Sequence, residues 1–150
     1  MIQNVQIVPR KIIQDDRGKI MHIMKLTDVQ FNKFGEVYCS TVYPGVVKGW
    51  HMHKRMTLNY LVIKGNIKFV LYDDRQDSVT YRQIQEIYLG ENQYVMVTVP
   101  PLVWNGFKGI GIEEAFVINF TDLPHETDEI IRMDPHNNDI INYDWTIKDR

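Results

Sequence analysis

The sequence predicts an all-β sandwich or barrel folded as one domain, and three features carry that prediction. Short apolar, β-branched runs recur between Gly, Pro, Asn and Asp turn signals. No stretch sustains an apolar period of about 3.6 residues, so helices are minor. The chain has 150 residues, a common single-domain length, and shows no linker, repeat or low-complexity tract.

The elements follow in order. Asp15 to Gly18 is a turn, and Lys19 to Leu26 reads as a strand. Glu36 to Val42 is a strand closed by Pro44 and Gly45. Leu58 to Ile63 and Asn66 to Tyr72 are apolar runs hinged at Lys64 and Gly65, a hairpin signature. Asp73 to Asp77 is the next loop. Gln85 to Leu89, Tyr94 to Val99 and Glu114 to Phe120 complete the series, punctuated by Gly90 to Asn92 and Lys108 to Gly111. Pro100 to Phe107 reads as a returning strand facing the segment around His51. From Asp122 the chain turns polar, with Pro124, Pro135, Asn137 and Asn138. This tail is expected to cross the barrel as loops, short turns or minor helix, anchored by Tyr143 to Trp145.

Composition removes several function classes. The 17 Lys and Arg against 19 Asp and Glu leave a net charge of −2, and no basic run exists. That argues against a nucleic-acid partner. No apolar run approaches a membrane span, and the N-terminus lacks a basic-then-apolar signal. A single cysteine, Cys39, excludes an intrachain disulfide and reads as a small buried hydrophobe. A reducing, cytoplasmic location is the expectation.

The segment Gly45 to His53 concentrates the chemistry. Side chains alternate across a strand, so His51 and His53 share one face while Trp50 and Met52 share the other. Either face of a sandwich strand can be interior, and alternation alone does not decide; a solvated outer pair is the plain alternative. The pattern resembles a metal cage of the cupin type, which wants His-x-His, a Glu before the next Gly, here Gly65, and a His after the downstream Pro, here Pro100. Those positions hold Thr57 or Leu58, and Asn105, which are poor ligands for zinc or iron. The cavity is therefore read as free of metal, with histidine left for proton transfer.

Several motifs occur in order: Asp16 to Gly18, Gly45 to His51, Gly65 with Tyr72 to Arg75, Pro100 to Phe107, Thr121 with Asp122, and Arg132 to Pro135. Together they resemble the dTDP-4-dehydrorhamnose 3,5-epimerase family of sugar-nucleotide enzymes, from about Ile7 to Trp145. The resemblance implies a jelly-roll cupin that uses neither metal nor other cofactor. It implies a homodimer whose subunits share N-terminal strands. The substrate it implies is a nucleotide-diphosphate 4-keto-6-deoxy sugar, inverted at carbon 3, carbon 5 or both, for surface polysaccharides such as lipopolysaccharide O-antigen.

Roles carry over position by position. His51 matches the family's catalytic base, and Asp134 the carboxylate paired with it. Lys48 stands where a basic residue meets sugar and diphosphate, and Arg17 matches a nucleotide contact. Asn105 stands where the family has histidine, Leu58 where it has lysine, and His22 where a glutamate follows Arg-Gly. Ile118 stands where the family has its proton-donor tyrosine, which points to inversion at carbon 3 alone. Another donor is then needed. Tyr60 is the candidate, two residues from Leu58 and on its face; Tyr43, Tyr72 and His53 are further possibilities. His53 and Asn105 join Lys48 and Arg17 as candidate substrate contacts.

Each residue also has a plainer reading. Tyr60 is a core tyrosine, Lys48 a solvated strand-end lysine and Asp134 a turn residue before proline. Asn105 with Gly106 is a hairpin turn, and Arg17 a surface partner of Asp15 or Asp16. Two other activities stay open: a sugar-nucleotide 3,4-ketoisomerase using the same base, and a non-catalytic sugar-nucleotide binder. A metal-dependent cupin is a more distant reading.

Overall fold

Strands with one apolar face need a second layer to bury it, and two antiparallel sheets supply each other's cover. The computed structural model describes residues 1–148. The first sheet runs in the order β1 (Gln6–Pro9), β9 (Val95–Val99), β6 (Leu58–Lys64), β11 (Ala115–Thr121), β4 (Glu36–Val42). The second runs β12 (Ile130–Arg132), β5 (Val47–His53), β10 (Val103–Ile110), β7 (Asn66–Asp73), β8 (Ile84–Gly90). A separate hairpin joins β2 (Ile12–Asp15) to β3 (Gly18–Met21). The result is an all-β jelly-roll sandwich of the cupin type, with no helix among the described residues.

Leu58, Val62, Ile67, Phe69, Leu71, Val97, Val99, Val103, Phe107 and Val117 fill the space between the sheets. Each outer face carries a smaller apolar cluster. On the second sheet, Trp50, Val70, Tyr72 and Trp104 are covered by Ile141 and Trp145 of the tail. The Trp50 and Trp145 rings lie 5.0 Å apart, and Lys108 Nζ donates to the Trp145 carbonyl at 2.8 Å. On the first sheet, Leu61, Tyr94 and Met96 are covered by Ile12, Met21, Ile23 and Met24.

The structure departs from the sequence reading in particular places. The strand expected to reach Leu26 ends at Met21, and Leu26 is 78% exposed. Strands β1 and β2 lie before the predicted series, and β12 forms inside the predicted tail, where Trp50 and Met133 exchange backbone hydrogen bonds at 2.8 and 3.1 Å. Lys64 and Gly65 do not close a hairpin: β6 and β7 lie in different sheets, so this corner carries the chain across the sandwich. Gly65 has φ +73°, and a Cβ there would meet the Ala115 Cα at 2.8 Å. The same glycine chemistry serves a corner and a hairpin turn alike. Asn105 and Gly106 likewise lie within β10, beside a register shift against β5, and form no turn. Cys39 is exposed, because it faces outward on β4, an edge strand.

Candidate active site

Alternation on β5 sends Trp50 and Met52 outward under the tail, so His51 and His53 point between the sheets. There they line a cavity of about 720 Å³, within the usual size range of small-molecule sites. The cavity opens where the packed core stops. Tyr60 and Phe107 form its floor, with the Tyr60 ring 5.0 Å from Phe69.

Each wall has its own chemistry. The second sheet contributes Lys48, His51 and His53 from β5, and Ile130 and Arg132 from β12. Register places Arg132 directly opposite His51 and Ile130 opposite His53. The first sheet contributes Glu36, Tyr38 and Ser40, alternate residues of β4, and Tyr60 of β6. His125 closes one side, its ring 6.3 Å from that of His53. Lys48 Nζ donates to Ser40 Oγ at 3.0 Å and so bridges the two walls. Close approach of β5 and β10 lets the second wall form: a Cβ on Gly49 would sit 2.9 Å from the Gly106 Cα.

Cations and burial set the titration of the imidazoles. Burial, then the charges of Arg132, Lys48 and His125, lowers His51 to about 4. Burial also lowers His53 to about 4, opposed by the nearby Glu129 carboxylate. Both rings are therefore neutral at physiological pH, the form needed to accept a proton. Burial, and secondarily the neighbouring Tyr38 hydroxyl, pushes the Tyr60 phenol well above the ordinary tyrosine range, so it keeps its proton. The Asn119 side chain fixes Tyr38: its Oδ1 accepts the Asn59 N–H at 3.1 Å, which turns Nδ2 toward the Tyr38 hydroxyl at 2.9 Å. That hydroxyl accepts from Asn119, leaving its own proton free for the cavity side.

The expected site residues divide into those that meet and those that do not. His51, His53, Lys48 and Tyr60 all line this one cavity. Asn105 does not line it. The residue is fully buried, and its Nδ2 donates to the His51 carbonyl at 3.1 Å, so it ties β10 to β5. Asp134 forms neither a hydrogen bond nor an ion pair with His51; its Oδ1 accepts the N–H groups of His136 and Asn137, both at 2.8 Å, in an exposed turn. Arg17 sits at the tip of the β2–β3 hairpin, paired with Asp15 at 2.6 Å, away from the cavity of its own chain. Tyr43 is exposed, and Tyr72 packs in the outer cluster with Trp50.

Ile118 removes nothing from the cavity. It faces outward on β11, packed against the cluster of Leu61, Tyr94 and Met96. The inference of a narrower activity from this position therefore loses its basis. Among the described residues no group of three His, Cys, Asp or Glu side chains is arranged to hold a metal ion. Sequence reasoning gave no role to Tyr38, His125, Glu129 or Arg132. Only Arg132 carried a signal, as the first residue of the motif ending at Pro135.

A jelly-roll sandwich that sets imidazoles on one sheet against phenols on the other, in a cavity bordered by Lys48 and Arg132, belongs among the cupin-fold isomerases. The chain belongs to the dTDP-4-dehydrorhamnose 3,5-epimerase family, which it matches over residues 1–150. It is 33% identical over 147 residues to a probable low-salt glycan biosynthesis epimerase of Haloferax volcanii, covering 96% of this chain and 94% of that one. It is 28% identical over 153 residues to a spore coat polysaccharide biosynthesis protein of Bacillus subtilis, covering 100% of both. The solved dTDP sugar isomerase of Desulfovibrio desulfuricans G20 superposes with a TM-score of 0.88 at 36% identity, covering 90% of this chain and 87% of that one. The protein is thus an isomerase-class enzyme of a sugar-nucleotide epimerase family, with relatives in glycan and spore-coat polysaccharide synthesis.

Proposed function

We propose that this enzyme inverts carbon 3, carbon 5 or both of a nucleotide-linked 4-keto-6-deoxyhexose destined for a surface polysaccharide. One observation carries the reading: His51 on β5 and the Tyr60–Tyr38 pair on β6 and β4 face each other across a single cavity. A C–H beside a ketone is acidic because its carbanion is an enolate. Inversion removes that proton from one ring face and returns one to the other. His51 takes the proton as neutral imidazole. The electron pair moves into the enolate, whose oxyanion Lys48 stabilises. A tyrosine hydroxyl then protonates the carbon from the opposite sheet, and solvent restores both groups. Arg132, exposed at the cavity edge, meets the diphosphate.

We further place the enzyme in the cytoplasm as a homodimer. The β2–β3 hairpin supports the dimer: it carries Arg17 away from its own cavity and leaves Ile13 42% and Ile20 62% exposed. A partner's cavity would give that arginine its nucleotide.

The test is proton NMR in heavy water on a panel of nucleotide 4-keto-6-deoxy sugars. The expected result is deuterium at carbon 3 or carbon 5 with an inverted centre. A 3-keto product would instead identify a ketoisomerase, and binding without any label a non-catalytic receptor.

The pH dependence follows from the titration of the imidazoles. Their folded-state values of about 4 lie below the ordinary 6.5, so the unfolded chain binds more protons between those limits. Stability from these groups is complete above pH 6.5 and falls as pH drops toward 4. Activity has the same sign. The acid limb of kcat/KM, which reports the free enzyme, is expected near pH 4 and well below the 6.5 of an ordinary histidine. The limb of kcat should lie higher, because a bound diphosphate offsets the Arg132 and Lys48 charges that depress His51. Coincident limbs at the ordinary histidine value would contradict this electrostatic picture.

A further inference from the structure

A carboxylate stands behind one of the cavity's imidazoles, and it is not Asp134. Glu129, at the entrance to β12, is 1% exposed, and its Oε1 lies 3.8 Å from His53 Nδ1. The carboxylate is anchored from behind. Its Oε1 accepts the N–H groups of Arg55 and Met56 at 2.8 and 2.7 Å, and its Oε2 accepts Arg55 Nε at 3.3 Å. The backbone is tied as well, with Lys54 N–H donating to the Glu129 carbonyl at 3.1 Å. His53 Nδ1 is buried without a hydrogen-bond partner, and Glu129 is the carboxylate facing it. Burial opposes ionisation of Glu129, but these donors outweigh it and hold the group below the usual carboxylate range. An ionised carboxylate beside a neutral imidazole favours the tautomer with its proton on Nδ1. The Nε2 lone pair is then free, on a ring that forms part of the cavity wall.

We propose that His53, positioned by Glu129, is a second base of this active site, and that His51 and His53 each serve one of the two carbons flanking the sugar's ketone. The assignment rests on the 4-keto sugar reading above. Residues two apart on a strand lie about 7 Å from each other on one face. Two imidazoles at that spacing can converge on one ring face, where carbons 3 and 5 stand on either side of the carbonyl. The two steps balance alike. An imidazole nitrogen takes the proton, the C–H pair becomes the enolate, a tyrosine returns a proton to the opposite face, the imidazolium gives its proton to solvent, and the tyrosinate takes one back from solvent. The other titratable and charged groups near His53 are His125, His51 and Arg132, and Tyr60 and Glu36 of the first sheet line the same cavity. Glu129 is the carboxylate in contact with its ring.

The experiment follows deuterium at carbons 3 and 5 separately in the wild type, His53→Asn, Glu129→Gln and His51→Asn. His53→Asn and Glu129→Gln are expected to slow exchange at the same carbon, Glu129→Gln by about 10- to 100-fold, and to leave the other within about threefold. His51→Asn should show the reverse pattern. Equal loss at both carbons, or at neither, in the His53 variant of an active enzyme overturns the assignment. A wild type that labels only one of the two carbons overturns the two-base assignment, and one that labels neither overturns the proposed reaction instead. Long-range nitrogen–proton correlation spectra add a readout that needs no substrate. They should show His53 protonated on Nδ1 in the wild type, with that preference lost in Glu129→Gln. A wild-type His53 protonated on Nε2 overturns the positioning role whatever the activity.

Discussion

Replacing His51 with alanine is expected to cut turnover by about 100-fold to 10,000-fold, the range of a lost general base. The fold should survive. His51 lies in the cavity wall and outside the apolar clusters, and among the described residues its ring forms no hydrogen bond. The bond that holds this part of β5 runs from Asn105 Nδ2 to the His51 backbone carbonyl, which alanine keeps. A substrate bound through Lys48 and Arg132 should therefore still bind. The expected pattern is a collapsed kcat with KM changed little, an unchanged denaturation midpoint, and loss of deuterium uptake at the carbon His51 serves. Near-wild-type turnover would remove His51 from the mechanism, and a collapsed midpoint would make it a structural residue.

The fold class was legible because it rests on short-range pattern. Alternating apolar runs and turn residues locate strands such as Glu36 to Val42 almost to the residue. Which strands pair is decided at long range. A glycine at Gly65 permits a turn, but whether β7 folds back on β6 or crosses to the other sheet depends on β9 and β11 filling both sides of β6.

The site shows the same limit. Alternation established that His51 and His53 share a face. That the face is interior follows from Ile141 and Trp145 covering Trp50; the sequence marks Trp145 as an anchor of the tail but not the face it covers. Glu129, His125 and Arg132 lie in a polar stretch without periodicity, and only the pairing of β12 with β5 gives them a role. Family resemblance carried His51 and Lys48 to the cavity. It also carried the donor position to Ile118, where the strand's period turns the side chain outward. A one-residue difference in register moves a side chain to the other side of a sheet, so sequence correspondence alone cannot tell a lost group from a displaced one.

In the proposed mechanism Tyr60, on the wall opposite His51, supplies the proton that Ile118 cannot, and this sets the second large effect. Tyr60→Phe is expected to slow inversion by about 100-fold or more, the usual contribution of a positioned acid. Its ring packs on Phe69 at 5.0 Å and Phe107 at 6.3 Å, contacts phenylalanine retains, so the core should hold. Removal of the substrate proton does not need the phenol. His51 should still form the enolate, and in heavy water the deuterated imidazolium can return its label to the face it came from. The variant is thus expected to gain deuterium with retained configuration faster than it inverts. Tyr38→Phe should do the same, since Asn119 holds that hydroxyl in place for donation. Because the two phenols are neighbours, the double variant should lose little more than either single one, the behaviour of groups acting as a unit. Separately additive losses would mean that the tyrosines act independently. If exchange falls in step with inversion, the phenols assist enolate formation, and the proton delivered to the far face comes from another group.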